Sequence, residues 1–129
     1  IFMENATLIV LLALLQYFFF TIKVGMGRGK YKVNAPACDG NEQFERLFRV
    51  QQNTLEQLII FIPAALAFAF YLSPVWVLGP GVIFILGRFL YAAEYNKDPK
   101  TRTPGMVLTI LANVALIIGA LFGLLKGMF

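Results

Sequence analysis

Apolar residues run along this chain in four long stretches separated by three polar connections. The first apolar stretch, from about residue 6 to 22, is interrupted only by Thr7, Gln16 and Thr21. About 20 apolar residues suffice for a helix to cross the hydrocarbon of a bilayer, so this pattern predicts a first transmembrane helix over about 5–25. Gly25, Gly27 and Gly29 are expected to end it, with residues 30–40 forming a loop that carries Pro36 and the turn pair Asp39-Gly40. A second helix is predicted over 42–72. Asn41 stands where a side-chain oxygen can cap its first turn, and Glu42 and Glu45 suit the positive end of its dipole. Pro63 should bend this helix without ending it. After a short turn at Ser73-Pro74, a third helix is expected over 74–95; after the connection 96–104, a fourth over 104–126.

One segment breaks the division between apolar helix and polar loop. Residues 44–58 place charges and amides directly before the apolar run 59–72, with no turn signal between them. Ionisable groups in a membrane helix cost about 2.5–3.5 kcal/mol each on insertion scales and therefore tend to face a protein interior or a ligand path. At 100° per residue, Glu45, Arg49, Gln52, Asn53 and Glu56 share one face. A cation, an amide and a carboxylate in line would suit a zwitterionic polar ligand. The same residues would also serve as a polar clamp between helices.

Composition reinforces the membrane reading. Hydrophobic residues make up 59% of the 129, charged residues only 14%, and there are 13 Phe. A water-soluble domain of this size would lack the polar surface to cover itself. The fold class expected is an all-α integral membrane protein, a bundle of four transmembrane helices in a single domain spanning 1–129. A signal peptide is disfavoured for the first stretch, because Glu4 and no basic cluster precedes it and no small-residue cleavage site follows. One cysteine, Cys38, and no histidine argue against a zinc site, an internal disulfide or His-based acid–base chemistry. The net charge of +4 fits membrane topology better than nucleic-acid binding.

Basic residues concentrate in the first and third connections: Lys23, Arg28, Lys30 and Lys32 in one, Lys97, Lys100 and Arg102 in the other. Four spans place these connections on one side, which the positive-inside rule assigns to the cytoplasm. Arg28, Arg49, Arg88, Tyr91, Tyr95 and Arg102 then gather at that end. Arg88, Tyr91 and Tyr95 also share a helix face by their spacing. Compact loops and the lack of a retention signal point to a bacterial inner membrane rather than the endoplasmic reticulum.

The run Glu45-Arg-Leu-Phe-Arg-Val-Gln-Gln-Asn-Thr-Leu-Glu56, preceded by Phe44, closely resembles the signature F-E-R-x-x-R-x-Q-x-N-x-x-E of the MAPEG family, the membrane-associated proteins in eicosanoid and glutathione metabolism. The resemblance continues through Gly87-Arg88-x-x-Tyr91-x-x-x-Tyr95 and Lys100-Thr101-Arg102, and covers essentially the whole chain. It is strongest to the branch holding microsomal glutathione transferases of types 2 and 3 and the leukotriene-forming synthase.

The resemblance implies a homotrimer of four-helix subunits that binds glutathione, as co-substrate, between neighbours at the cytoplasmic face. Arg49, Asn53, Glu56, Tyr91 and Tyr95 would line the tripeptide site from one subunit, and Arg28 and Gln51 would reach it from the next. Arg102 takes the place of the arginine at the glutathione sulfur. The implied activity is transfer of glutathione to lipophilic electrophiles drawn from membrane lipid, or reduction of lipid hydroperoxides, with no metal. Gln57 stands where leukotriene-forming members carry tyrosine, and Gly29 where they carry a second arginine, which points away from leukotriene synthesis. The alternative is a non-catalytic protein of the same fold that binds and presents lipid.

Overall fold

In a computed structural model describing residues 2–129, these residues form four α-helices and one short 3-10 turn. The helices are α1 (Glu4–Tyr31), α2 (Glu42–Tyr71), α3 (Leu78–Lys97) and α4 (Thr103–Met128), with the 3-10 turn at Pro99–Thr101. By length and composition α1, α2 and α4 can each cross a membrane. The 20 residues of α3 extend about 30 Å, comparable to the hydrocarbon thickness. Asn5 Nδ2 donates to the Pro74 carbonyl, joining the start of α1 to the second connection, while Arg46 Nη1 donates to the Asn96 and Lys97 carbonyls, joining the start of α2 to the end of α3. The chain therefore alternates up and down, with the first and third connections at one end.

Two expected boundaries shift. Gly25, Gly27 and Gly29 do not end α1, which continues to Tyr31. Glycine costs a helix interior about 1 kcal/mol relative to alanine but does not forbid it, and a Cβ on Gly27 would come within 2.9 Å of Leu47 on α2. At that position the missing side chain lets two helices approach. Termination comes at Lys32, whose left-handed φ of 57° turns the chain as its N–H caps the Arg28 carbonyl. Arg28 and Lys30 consequently lie on helix rather than loop. At the other end of the bundle α3 begins at Leu78, not at Pro74. Ser73 Oγ accepts from the N–H groups of Val75 and Trp76, holding a turn that delays the helix. The Asn41 cap forms, with Oδ1 accepting from Phe44 N at 3.0 Å, and α2 continues through Pro63.

The packing follows steps of three and four residues, the spacing that keeps one helix stripe inward. On α1 the buried positions are Ala6, Ile9, Ala13, Gln16, Phe20, Val24 and Gly27; on α4 they include Gly105, Thr109, Ala112, Leu116, Ala120 and Gly123. Phe61 of α2 and Phe84 of α3 stack at the centre with ring centroids 4.0 Å apart. The outer surface is covered by exposed Leu, Ile, Val and Phe, including Leu15, Ile59, Leu86 and Ile118. Such a skin suits lipid tails, not water.

α3 and α4 approach closely at Gly105, where a Cβ would collide with the backbone nitrogen of Tyr91 and lie 2.8 Å from the Gly87 carbonyl oxygen. Gly105→Ala should destabilise the bundle by about 1–3 kcal/mol, the usual cost of overpacking. Gly79→Ala, with nothing within 4 Å of the added carbon, should be neutral or slightly stabilising. Thermal unfolding of both variants in detergent checks the contrast.

Candidate functional site

The polar face of α2 divides in two. Asn53 and Thr54 turn inward and are buried, whereas Glu45, Arg49 and Glu56 remain exposed. The expected single line of cation, amide and carboxylate is therefore corrected: the amide is drawn into the bundle by a partner on α3. That partner is Arg88, which is completely buried. Its Nη2 donates to Asn53 Oδ1 at 2.6 Å and to Thr54 Oγ1 at 3.1 Å, its Nε donates to Thr54 Oγ1 at 3.3 Å, and its Nη1 donates to Thr109 Oγ1 of α4 at 3.2 Å.

Both threonine hydroxyls are oriented for this work. Thr54 donates its own proton to the Val50 carbonyl and Thr109 to the Gly105 carbonyl, each four residues back. Their lone pairs are thus left for the guanidinium. The fourth contact is aromatic: the Arg88 guanidinium carbon lies 4.3 Å from the Tyr91 ring centroid. Tyr91 in turn stacks on Tyr95, with centroids 5.4 Å apart. The expected shared face of Arg88, Tyr91 and Tyr95 thus becomes a column, backed by Phe20, Val50 and Ala92.

Outside this column lies a looser pair. Arg49 Nη1 and Glu56 Oε2 are 3.5 Å apart, with side chains 47% and 55% exposed. Half-exposed ion pairs contribute little to stability, about 0–1 kcal/mol, so a ligand can separate this one cheaply. Asn53 and Tyr91 both contact Arg88, Tyr95 stacks on Tyr91, and Arg49 and Glu56 lie one turn to either side of Asn53 on α2, so these residues belong to one neighbourhood. Arg102 is exposed between the 3-10 turn and α4, with Nη1 donating to the Pro99 carbonyl at 2.7 Å.

Arg28 and Gln51 point elsewhere in the same chain. Arg28 Nη1 donates to the Ala37 carbonyl at 2.8 Å and its guanidinium lies over Phe44, while Gln51 Nε2 donates to Thr21 Oγ1 on α1 at 3.1 Å. Gln57 pairs with Asn113 of α4. Cys38 is exposed on the first connection. Among the described residues no cluster of His, Cys, Asp and Glu suits a metal ion. The role of Arg46 as a clasp on the end of α3 was not evident from the sequence; its position near the start of α2, opposite the third connection in an alternating bundle, was the signal available.

Replacing Arg88 by Lys keeps the charge but loses the planar fork that reaches α2 and α4 together. Buried acceptors left without a donor cost about 1–3 kcal/mol. Arg88→Lys should therefore lower resistance to SDS-driven unfolding by about that amount, whereas Arg49→Lys, at the exposed pair, should leave it nearly unchanged.

Comparison with known proteins shows what this chain is similar to. The chain is 44% identical over 118 residues to an uncharacterized protein of Synechocystis sp., covering 92% of this chain and 86% of the relative. It is 40% identical over 113 residues to microsomal glutathione S-transferase 2 of Homo sapiens, covering 86% and 76% respectively. Leukotriene C4 synthase of Bos taurus is 25% identical over 127 residues, covering 91% and 78%. Residues 6–122 match the MAPEG family. The buried Arg88 column, the apolar skin and these matches together identify the chain as a membrane protein of the MAPEG family.

Proposed function

We propose that this protein is a membrane-bound glutathione transferase that joins the thiolate of glutathione to lipophilic electrophiles, and that it works as a homotrimer with a site between neighbouring subunits. The observation that carries the reading is the loose Arg49–Glu56 pair beside the Tyr91–Tyr95 stack, in a chain whose relatives include microsomal glutathione S-transferase 2. A carboxylate of glutathione takes Arg49 and its ammonium takes Glu56, so each half of the pair exchanges one partner of opposite charge for another. Asn53, with Oδ1 committed to Arg88, offers its amide nitrogen as a donor. Tyr91 and Tyr95 supply the wall against which the peptide lies.

Arg28 and Gln51 serve the site of the adjacent subunit. Gln51 is two residues from Arg49 and hence on a different face of α2. Arg102 supports the chemistry. A free thiol titrates near 8.5 and its thiolate is the nucleophile, so a guanidinium beside the sulfur stabilises the reactive anion and remains charged throughout. The thiolate forms a carbon–sulfur bond with an electrophile that enters from the lipid, and the leaving group, a halide ion from an aryl halide, departs with the electron pair of the broken carbon–halogen bond. With a lipid hydroperoxide it attacks the O–O bond instead: one oxygen leaves as the alcohol, the other stays on sulfur, and a second glutathione releases it as water with formation of the disulfide. A site at the cytoplasmic face is supported by the basic first and third connections, and a bacterial inner membrane by a relative in Synechocystis sp..

Glutathione binding to the detergent-solubilised protein tests the reading directly. Glu56→Gln should weaken binding tenfold or more, equivalent to about 1.4 kcal/mol, while native mass spectrometry still shows trimers. Unchanged affinity would make Glu56 structural, and a monomer or dimer that binds glutathione normally would overturn the shared site.

Arg102→Ala should retain most of the tripeptide affinity but raise the pKa of bound thiol towards its free value, at about 1.4 kcal/mol per unit. Thiolate absorbance near neutral pH and turnover of an aryl halide should fall together. Normal thiolate formation with loss only of apolar substrate would instead assign Arg102 to substrate positioning.

A further inference from the structure

A groove runs along α1, bounded first by α3 and then, towards the first connection, by the start of α2. Three clefts make it up. The first, about 310 Å³, lies between Leu12 and Phe19 of α1 and between Ile85 and Phe89 of α3. It shares Phe19 and Phe89 with a second cleft of about 210 Å³, which also reaches Lys23, Ala93 and Asn96. That cleft shares Lys23 and Leu47 with a third of about 220 Å³, bounded by Lys30 and Tyr31. Apolar walls therefore give way, in one direction along α1, to two lysines.

The dimensions and the charge suit a bilayer component. From Leu12 to Lys23 the groove follows about 16 Å of helix axis, close to the thickness of one leaflet, which is half of the roughly 30 Å hydrocarbon core. Lys23 thus stands one acyl-chain length from the inner end of the groove. Its Nζ lies over the Phe19 ring, 5.6 Å from the centroid, a cation–π contact that holds the ammonium against the wall of the groove. Lys30 is arranged similarly over Tyr31 at 5.3 Å. Neither lysine pairs with a carboxylate among the described residues. Asn96 adds an amide beside Lys23. The Lys23 ammonium and the Asn96 amide complement a phosphodiester, Lys30 stands further along α1 where a polar headgroup beyond the phosphate reaches it, and the basic connections at this end attract anionic lipid to the same surface.

We infer that this groove along α1 seats one anionic phospholipid of the adjoining leaflet, with its phosphate at Lys23, its headgroup towards Lys30 between α1 and the start of α2, and one acyl chain between α1 and α3 along Phe19 and Phe89 to Leu12. Phospholipid is favoured over a free fatty acid because the two lysines are seven residues apart on α1, about 10 Å along the axis. A single carboxylate reaches only one of them.

Native mass spectrometry of the whole protein released from mixed micelles tests this, using phosphatidylglycerol, phosphatidylcholine and oleate in competition. The unaltered protein should retain phosphatidylglycerol at least tenfold over either competitor. Lys23→Gln combined with Lys30→Gln should reduce that retention to the phosphatidylcholine level, and Ala93→Phe, which fills the middle cleft from an exposed position, should abolish it. Equal retention of the two phospholipids, preferential retention of oleate, or retention unaffected by either variant would each overturn the inference. Competition in the unaltered protein needs no variant to fold. Glutathione binding measured on the same samples should be unchanged by Ala93→Phe, so failure of the enzymatic reading and failure of the lipid seat are separately visible.

Discussion

A guanidinium with no carboxylate in contact among the described residues, buried between three helices, is the constraint around which this bundle is organised. Arg88 satisfies its donors with neutral oxygens from Asn53, Thr54 and Thr109 and with the face of Tyr91. Removing such a charge from water costs several kcal/mol, and hydrogen bonds from a charged donor return about 1.5–3 kcal/mol each. The compensation requires α2, α3 and α4 to hold one relative register. Gly105 makes that register possible, since any side chain there would push α4 off the Tyr91 backbone and carry Thr109 away from the guanidinium.

The rigid interior and the adaptable exterior are built from adjacent residues of one helix. Asn53 is held within the bundle, but Arg49 and Glu56, one turn to either side, meet at 3.5 Å and remain half exposed. A site assembled in this way keeps its aromatic wall fixed through the Arg88–Tyr91–Tyr95 column while its charged groups can change partners. The same division separates Arg88, which ties three helices together, from Arg49, which stays half exposed and holds only one loose partner.

Other polar groups within the membrane act as fasteners. Gln16 of α1 donates to the Ile85 carbonyl of α3, Gln51 of α2 to Thr21 of α1, and Asn113 of α4 to Gln57 of α2. Each joins a different pair of helices. In a solvent of lipid tails, where apolar contact alone discriminates poorly between protein and lipid, such bonds together with close approaches at small residues select the helix partners.

The helical periodicity, the Asn41 cap and the concentration of charge at the start of α2 were legible because they depend on neighbours within one or two turns. The motif Phe44 to Glu56 likewise identified the family, since its residues are contiguous on a single helix. Helix ends were less legible. Three glycines suggested that α1 stops near residue 25, but packing of Gly27 against Leu47 and the turn at Lys32 carry it to Tyr31. The sequence by itself determined that this chain is a set of apolar helices with a polar stripe on the second, because composition and period decide which residues avoid water. Only the tertiary structure decided that Asn53 turns inward while Arg49 and Glu56 do not, because that choice belongs to Arg88, 35 residues away from Asn53, and no local pattern reports which buried charge a given amide will meet.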